Sequence, residues 1–137
     1  MVDVASKRVQ CVVVTPERAL LDEAADSVVL PMIDGELGVL PGRAALVGRL
    51  GYGELRIRNG TVVQRFFVDG GFAQVRADVV TVLTPRAKKA DEINVAKVEE
   101  ELAAAQEPAR TPEAQEAATK AQERARAQLR VARHIRG

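Results

Sequence analysis

The feature that most constrains this chain is an abrupt change in composition between Thr84 and Ala90. Before it, short runs of Val, Leu, Gly and Pro follow one another; after it, Ala, Glu, Gln, Arg and Lys predominate, and glycine is absent until the last residue. Short apolar runs separated by turn residues are typical of strands, whereas Ala, Glu, Gln and Arg favour helix. The sequence therefore predicts a β domain over residues 1–88 and a helical domain over residues 89–137.

Turn signals divide the first domain into short strands with no helix between them. Asp34-Gly35 and Asn59-Gly60 are hairpin signals, because glycine accepts a positive φ without steric cost, and Asn59-Gly60 favours a type I′ turn. Further turns are predicted at Gly51–Gly53, Asp69–Gly71 and Ala77-Asp78. This arrangement favours an antiparallel β-sandwich or barrel. The predicted strands are Arg8–Thr15, Ala19–Leu21, Ser27–Leu30, Gly38–Leu40, Glu54–Arg58, Val62–Val68, Phe72–Arg76 and Val79–Leu83.

Two helices are predicted in the second domain, from Asp91 to Glu107 and from Pro112 to about Arg133. Thr111 is a suitable N-cap for the second helix, and proline is favoured at the first helical position. The apolar stripes of both helices are narrow; they consist of Val95, Val98, Leu102 and Ala105, and of Ala114, Ala118, Ala121, Ala125, Leu129 and Ala132. Each buried CH₂ contributes about 0.8 kcal/mol, so a stripe made mostly of alanine docks weakly. We expect helices that form readily and detach readily, although a helical appendage that never moves remains an alternative.

Charge differs between the two helical segments. Residues 91–107 carry six acids and one Lys, a net −5, whereas residues 120–137 carry five Arg and one Lys against Glu123, a net +5. An antiparallel hairpin would place the acidic helix beside the basic one. Exposed ion pairs contribute only about 0.2–1 kcal/mol each, so they would define the register of the hairpin more than its stability.

Composition and motif content exclude several classes of function. The net charge of +1 gives no strong field for nucleic acid or an anionic membrane, and no leader or bilayer-length apolar run is present, so we expect a soluble protein. Cys11 follows the pattern of a buried apolar residue. His134 is expected at the surface or complementing a helix C-terminus rather than binding a ligand. With one His and one Cys, no catalytic constellation or metal site is predicted.

One stretch carries a specific resemblance. Residues 35–44, Gly-Glu-Leu-Gly-Val-Leu-Pro-Gly-Arg-Ala, resemble the signature of the epsilon subunit of F-type ATP synthases, with Arg43 where many members have His. Residues 66–75 and 79–83 resemble later motifs of the same family, in the same order and at compatible spacing. The resemblance implies an α+β fold, a β-sandwich of about ten antiparallel strands followed by a two-helix antiparallel hairpin.

The resemblance also implies a role and partners. It indicates a non-catalytic rotor subunit that couples the c-ring to the gamma subunit and inhibits ATP hydrolysis through its C-terminal helices. Expected partners are gamma, the c-ring, and the alpha and beta subunits, with no nucleic acid. The chain is expected at the cytoplasmic face of the bacterial membrane, and it associates with the membrane only through the other subunits of the complex.

The resemblance assigns contacts residue by residue. Glu36 matches the position that contacts the c-ring, and its neighbour Asp34 is a second candidate for that contact; Arg43 matches a position near gamma. The candidates for contacts with an acidic segment of the beta subunit are Arg124, Arg126, Arg130 and Arg133. The alternatives are an ordinary turn carboxylate at Glu36 and a solvated basic face on the second helix.

Some members of this family bind ATP on the hairpin, and residues 93–98 resemble their motif. The candidate ATP-binding residues here are Asn94, Lys97, Arg124 and Gln128. Asn94 and Lys97 replace an Asp and an Arg, and Lys lacks the planar fork that suits phosphate. ATP is therefore expected to bind weakly if it binds, and no other cofactor is predicted. Two other functions stay open: a β-sandwich adaptor for a different helical partner, and a small ATP sensor acting alone.

Overall fold

The computed structural model of this protein describes residues 7–136, which form eight strands and two helices. The strands are β1 (Val9–Val14), β2 (Ala19–Ala25), β3 (Ser27–Met32), β4 (Gly35–Val39), β5 (Leu46–Asn59), β6 (Val62–Arg76), β7 (Val79–Leu83) and β8 (Ala87–Lys89). The helices are α1 (Val95–Ala105) and α2 (Pro112–Arg136). The outer limits predicted for the two domains, residues 1 and 137, lie outside the described residues.

The strands form one hydrogen-bonded sheet in the order β2-β1-β7-β6-β5-β3-β4, with β8 paired to β6. The strand pairs are antiparallel except β1 with β7, which is parallel. Strands β2 and β3 meet at Asp26, whose N–H donates to the Arg58 carbonyl at 2.9 Å. The Asp26 carboxylate accepts from the Gly60 N–H at 2.6 Å, so this corner closes onto the β5–β6 hairpin. The predicted fold class, a β-sandwich followed by a helical hairpin, is confirmed, but the sheet is mixed rather than antiparallel throughout.

Two strands are longer than the sequence predicted. The segments Gly51–Gly53 and Asp69–Gly71, predicted as turns, lie inside β5 and β6, which contain 14 and 15 residues. Gly70 and Gly71 have φ of +73° and +108°, which bends β6 without ending it. Before this bend β6 pairs with β8, and after it β6 pairs with β7. One long strand therefore forms ladders in two parts of the sheet. The described residues contain eight strands instead of the predicted ten or so.

The turns also differ in detail from the prediction. Asn59 pairs with Val62 in the ladder, so the two-residue loop of this hairpin is Gly60-Thr61. Only Gly60 has a positive φ there, and the type I′ prediction for Asn59-Gly60 is wrong. Ala77 and Asp78 have φ of 52° and 63°, the two positive values that a type I′ turn requires.

The sheet encloses one aliphatic core. Its fully buried members come from each of the strands β1 to β7, and include Val13, Leu30, Ile57, Val75 and Val82. Cys11 has no exposed surface, as the sequence predicted. Burial raises the pKa of its thiol to about 12, with smaller contributions from the charges of Glu23 and Asp22.

The helices begin and end close to the predicted positions. Ala90–Glu92 form a 3₁₀ turn, and the Asn94 side chain accepts the Lys97 N–H at 3.1 Å, so α1 begins at Val95 rather than at Asp91. The Thr111 hydroxyl accepts the Ala114 N–H at 3.0 Å, which confirms the predicted cap of α2. The helices pack against each other, and Gln122 Nε2 donates to the Ala105 carbonyl at 2.9 Å.

Candidate functional site

The hairpin lies against the outer surface of β5 and β6, and a small apolar cluster joins it to the sheet. The cluster contains the buried residues Phe67, Ala90, Ile93, Val98, Ala125, Ala127, Val131 and Ala132. Half of these residues are alanines, and the half-buried Tyr52, Val95, Leu102 and Leu129 pack against them. The sheet contributes only Phe67 and Tyr52 to this cluster, so the apolar contact between hairpin and sheet involves few side chains of the sheet.

Helix α2 buries side chains on two of its faces, whereas the sequence pattern predicted one apolar stripe. Ala125 and Ala132 are buried as predicted, whereas Ala114 is exposed, so the predicted stripe is wrong at its N-terminal end. Ala127 and Val131 are buried although the stripe omitted them. They line a cavity with sheet residues because α2 packs against the sheet as well as against α1.

The carboxylate of Asp69 on β6 is buried beneath α2. Its side chain is 4% exposed, and its Oδ1 accepts Nε of Arg124 at 2.8 Å. Arg86 Nε approaches the other oxygen at 3.5 Å, and the Arg124 guanidinium lies 5.4 Å from the centre of the Tyr52 ring. The hydrogen bond to Asp69 is the main cause that raises the pKa of Arg124. Asp69 thus fixes one point on α2 to the sheet.

The carboxylate of Glu54 on β5 lies under the C-terminal part of α2. Its side chain is 7% exposed; Oε1 accepts Arg65 at 2.8 Å and Arg56 at 3.1 Å, and Oε2 contacts Nδ1 of His134 at 2.5 Å. The prediction for His134 is therefore incomplete: its side chain is half exposed, yet it contacts a buried carboxylate of the sheet.

Sequence reasoning missed both carboxylates. Glu54 belongs to an alternating segment that predicts a solvated face, and Asp69 precedes two glycines that predict a turn. The segment around Glu54 does alternate, but α2 lies over the part of its polar face that contains Glu54 and Arg56. No local signal identifies either carboxylate, because its burial depends on a helix whose contacting residues lie 55 and 80 positions further along the chain.

The candidate c-ring residues lie at the β3–β4 turn. Asp34 and Glu36 are exposed. Glu36 is already held by Arg56, whose NH1 and NH2 donate to the two carboxylate oxygens at 2.7 and 3.3 Å. This bond is the main cause that raises the pKa of Arg56. Asp34 is thus an exposed carboxylate at this turn, whereas Glu36, whose side chain is 58% exposed, is paired at the surface with Arg56 of β5.

Arg43, the candidate gamma contact, lies beyond the other end of β4. It is exposed, and its N–H donates to the Leu40 carbonyl at 3.2 Å in a turn. The neighbouring Gly42 N–H donates to the Asp78 carboxylate at 2.7 Å, which fixes this turn to the β6–β7 hairpin. Arg43 and the Asp34–Glu36 turn are therefore separated by the length of a strand.

The four arginines proposed for the beta subunit do not act as one group in this conformation. Arg124 is bound to Asp69, whereas Arg126, Arg130 and Arg133 are exposed. Arg126 and Arg130 line a cavity of about 690 Å³ between α2 and the sheet, together with Arg49 and Phe72.

The candidate ATP residues are brought together. Asn94 and Lys97 of α1 and Arg124 and Gln128 of α2 line one cavity of about 350 Å³ against the sheet. Arg86 and Lys88 add positive charge, whereas Glu17, Asp69 and Glu101 add negative charge. The Asn94 side chain already caps α1, and Arg124 is bound to Asp69.

Several large apolar side chains are exposed together on one face of the sheet. Phe72 pairs with Leu83 of β7 on one side and with Arg49 of β5 on the other, so these three side chains share a face. Phe72 and Leu83 are 53% and 50% exposed, and Val47, two residues before Arg49 on the same face, is 72% exposed. We call Val47, Phe72 and Leu83 the outer apolar patch.

Within residues 7–136, no group of three or more His, Cys, Asp and Glu side chains is placed to hold a metal ion. Neither of the two described helices has the combination of length and apolar character needed to cross a bilayer.

Comparisons with known proteins agree with this architecture. The family described as ATP synthase, Delta/Epsilon chain, beta-sandwich domain matches residues 8–90. A protein of Rhodopirellula baltica named ATP synthase epsilon chain is 53% identical over 126 residues, which cover 91% of this chain and 98% of that protein. A protein of the same name from Granulibacter bethesdensis is 39% identical over 128 residues, covering 89% and 95% of the two chains.

Solved structures show the same fold. A chain in the mitochondrial ATP synthase of Euglena gracilis superimposes with a TM-score of 0.75 at 26% identity, over 88% of this chain and 78% of that one. A chain in the central stalk and c-ring of the Tetrahymena thermophila mitochondrial enzyme gives a TM-score of 0.72 at 16% identity, over 92% and 97% of the two chains.

The matched β-sandwich domain and the helical hairpin that follows it define a class of non-catalytic ATP synthase subunits. Within that class, the chain belongs to the ATP synthase delta/epsilon chain family, as a non-catalytic subunit of the epsilon type.

Proposed function

We propose that this chain is a rotor subunit in the central stalk of an F-type ATP synthase. The sheet is the rigid part that connects the gamma subunit to the c-ring, and the helical hairpin regulates ATP hydrolysis. The observation that carries this proposal is the division of the molecule into an extensively hydrogen-bonded sheet and a hairpin attached through few apolar side chains. The chain would then lie at the cytoplasmic face of the bacterial membrane, as a peripheral protein held there by the other subunits of the complex.

The outer apolar patch supports contact with a subunit of the complex. Three large apolar side chains that share one exposed face of a sheet are typical of a protein-binding surface. Arg49 lies beside Phe72 and provides a polar edge. We assign this face, together with Arg43 at the end of β4, to the gamma subunit.

Substitution of Phe72 by Asp tests this assignment. A carboxylate at the centre of the patch would have to be desolvated on binding, so we expect the variant to lose co-purification with gamma while keeping its folded sheet. Val62→Asp is a matched control, because Val62 is 61% exposed but lies at the β5–β6 hairpin end. Retention of gamma by the Phe72 variant would contradict the assignment.

The c-ring contact is assigned to the β3–β4 turn. Asp34 is exposed there, and Glu36 lies on the strand that follows. Since Glu36 is paired with Arg56, Asp34 is the more available charge for a neighbouring loop. We expect Asp34→Lys to weaken the coupling of ATP hydrolysis to proton transport in the assembled complex, with gamma still bound. Unchanged proton pumping would argue against this contact.

The hairpin supplies the regulatory part of the proposal. Arg126, Arg130 and Arg133 of α2 are exposed, and Arg124 would join them once the helix leaves Asp69. Four arginines within one ten-residue helical segment would suit an acidic partner such as the beta subunit. Release of the hairpin would thus present a basic helix to the catalytic part of the enzyme and inhibit hydrolysis.

ATP binding to the hairpin is a second candidate function, supported by the cavity that Asn94, Lys97, Arg124 and Gln128 share. Its acidic side chains and the prior engagement of Arg124 predict weak affinity. Titration of the full chain with ATP in a calorimeter tests this, with Lys97→Ala as the variant expected to abolish binding and Lys120→Ala as the control. Absence of heat at millimolar ATP would remove this function.

A further inference from the structure

Two buried carboxylates beneath α2 have no role in the contacts proposed so far. Glu54 and Asp69 lie on neighbouring strands, and their side chains are 7% and 4% exposed. Buried carboxylates are rare unless cations or hydrogen-bond donors compensate them. The donors here come from two directions, from the sheet itself and from the helix above it.

The sheet side of the arrangement persists whether or not the helix is present. Arg56 and Arg65 on β5 and β6 donate to Glu54, and Arg86, before β8, approaches Asp69. Both carboxylates would therefore keep a cationic neighbour if α2 moved away, and they would also gain water. Departure of the helix leaves no buried charge without a partner on the sheet.

The helix side consists of one residue for each carboxylate. Arg124 Nε donates to Asp69 at 2.8 Å, and His134 Nδ1 lies 2.5 Å from Glu54. The two residues are ten positions apart, which corresponds to about 15 Å along the helix. Between them the helix contributes Ala125, Ala127, Val131 and Ala132 to the apolar cluster. Polar contacts therefore hold both ends of a segment whose apolar contact is small.

We propose that Glu54 and Asp69 form a carboxylate latch that holds α2 on the sheet, and that Asp69 competes for Arg124 with the acidic partner that the released helix would bind. The competition rests on the proposed regulatory function, whereas the latch does not. Arg124 cannot pair with a buried carboxylate of the sheet and with an external acidic surface at the same time. The strength of the latch then determines how often the arginine becomes available.

Amide hydrogen exchange of the isolated full chain tests the latch. Asp69→Asn keeps the shape of the side chain and removes its charge, so Arg124 loses a charge-assisted bond while remaining present. We expect exchange in the 124–134 segment to increase about tenfold or more, because bonds to charged groups are the stronger ones. Exchange in β1 and β7 should not change. We expect Glu54→Gln to produce the same pattern at the C-terminal end of the segment.

A matched control is available on the same helix. Glu116 is exposed and pairs with Lys120 at 3.6 Å, one turn further along. Glu116→Gln removes one carboxylate of the chain without touching the interface with the sheet, and we expect no change in exchange beyond its own turn. Unchanged exchange in Asp69→Asn, or an equal increase in Glu116→Gln, would overturn the latch.

A double-substitution cycle identifies the bond itself. If Asp69 acts through Arg124, then Arg124→Gln and Asp69→Asn should each increase the rate of amide exchange. The exchange rate of the double variant should then be only slightly higher than that of either single variant. Fully additive effects would show that the two side chains act separately and would overturn the pairing.

ATP hydrolysis by the assembled complex separates the latch from the regulatory function. Asp69→Asn releases the helix with its arginine intact and should inhibit hydrolysis more strongly than the unsubstituted chain. Arg124→Gln releases the helix without that arginine and should inhibit it less than Asp69→Asn. Faster exchange in both variants with identical hydrolysis rates would support the latch and contradict both the competition and the regulatory role of the hairpin.

Discussion

At the scale of single residues, the backbone at Gly71 leaves no room for a side chain. Its φ is +108°, and a Cβ built there would lie 2.0 Å from the Leu83 carbonyl oxygen and 2.9 Å from Cα of Thr84. Both contacts are with backbone, which cannot rotate away. Gly71 therefore permits the bend that allows β6 to pair with β8 before it and with β7 after it.

Substitution of Gly71 by Ala should destabilise the sheet by about 2 kcal/mol or more, since strained backbone alone costs of order 1–3 kcal/mol. Urea unfolding followed by circular dichroism measures the change. Gly38→Ala is the matched control, because nothing lies within 4 Å of a Cβ at that position and its φ is not positive. Equal stability of the two variants would contradict this account of the bend.

Cys11 gives the protein a predictable response to alkaline pH. Burial raises the pKa of its thiol from 9.0 to about 12, so the folded state retains a proton that the unfolded state loses in this interval. The contribution of this thiol to stability is thus fully present below pH 9.0 and is lost as the pH rises toward about 12. The loss can reach about 1.4 kcal/mol per pH unit.

The comparison with Cys11→Ala isolates this effect from other groups that titrate at high pH. We expect the unfolding free energy of the unsubstituted chain to fall more steeply above pH 9.0 than that of the variant. Parallel pH profiles would mean that the folded protein does not suppress ionisation of this thiol.

At the scale of elements, the helix α2 depends on a cap that the sequence identified. The Thr111 hydroxyl accepts the Ala114 N–H at 3.0 Å. Thr111→Ala should therefore weaken the first turn of α2 by about 1 kcal/mol. Amide exchange in residues 113–116 measures this change.

Thr119→Ala on the same helix is the control for the cap. The Thr119 hydroxyl donates to the Gln115 carbonyl at 2.9 Å, within the helix, and Ala has the higher helix propensity. We expect this control to leave the first turn unchanged or to stabilise it slightly. A Thr111 variant that exchanges no faster than the control would show that the cap contributes little.

The sequence identified most elements because their signals are local. Period-two alternation, Asp-Gly and Asn-Gly turns, the Thr-Pro start of α2 and the alanine-rich helices all act within a few residues. The turns predicted at Gly51–Gly53 and Asp69–Gly71 were wrong, since glycine bends a long strand as readily as it ends one. Nothing local distinguishes these outcomes, because ladder partners decide them: β6 for Gly51–Gly53, and β7 and β8 on either side of Asp69–Gly71.

The candidate site was less predictable than the fold. The sequence pointed to the arginines of α2 but not to Glu54 and Asp69, whose burial depends on contacts between strands and a distant helix. It also suggested that alanine-rich stripes alone determine how tightly the hairpin is held. The structure adds polar contacts at both ends of the docked segment, so attachment depends on charge as well as on apolar area.

At the scale of the whole molecule, the sheet and the helical hairpin have separate apolar clusters. The sheet has its own core, built from the strands β1 to β7, which contains none of the hairpin residues. We therefore expect a chain that ends after Ala90 to keep a folded sheet and to bind gamma. Circular dichroism and co-purification with gamma check both expectations, and loss of either would mean that the hairpin is part of the structural unit.

The role assigned to the hairpin is tested by the rate of ATP hydrolysis in the assembled complex, measured with the full chain and with a chain that lacks residues 91–137. We expect faster hydrolysis with the shortened chain, because the arginines of α2 are no longer available to inhibit the catalytic subunits. An equal or slower rate, in a complex that still contains gamma and the shortened chain, would contradict it.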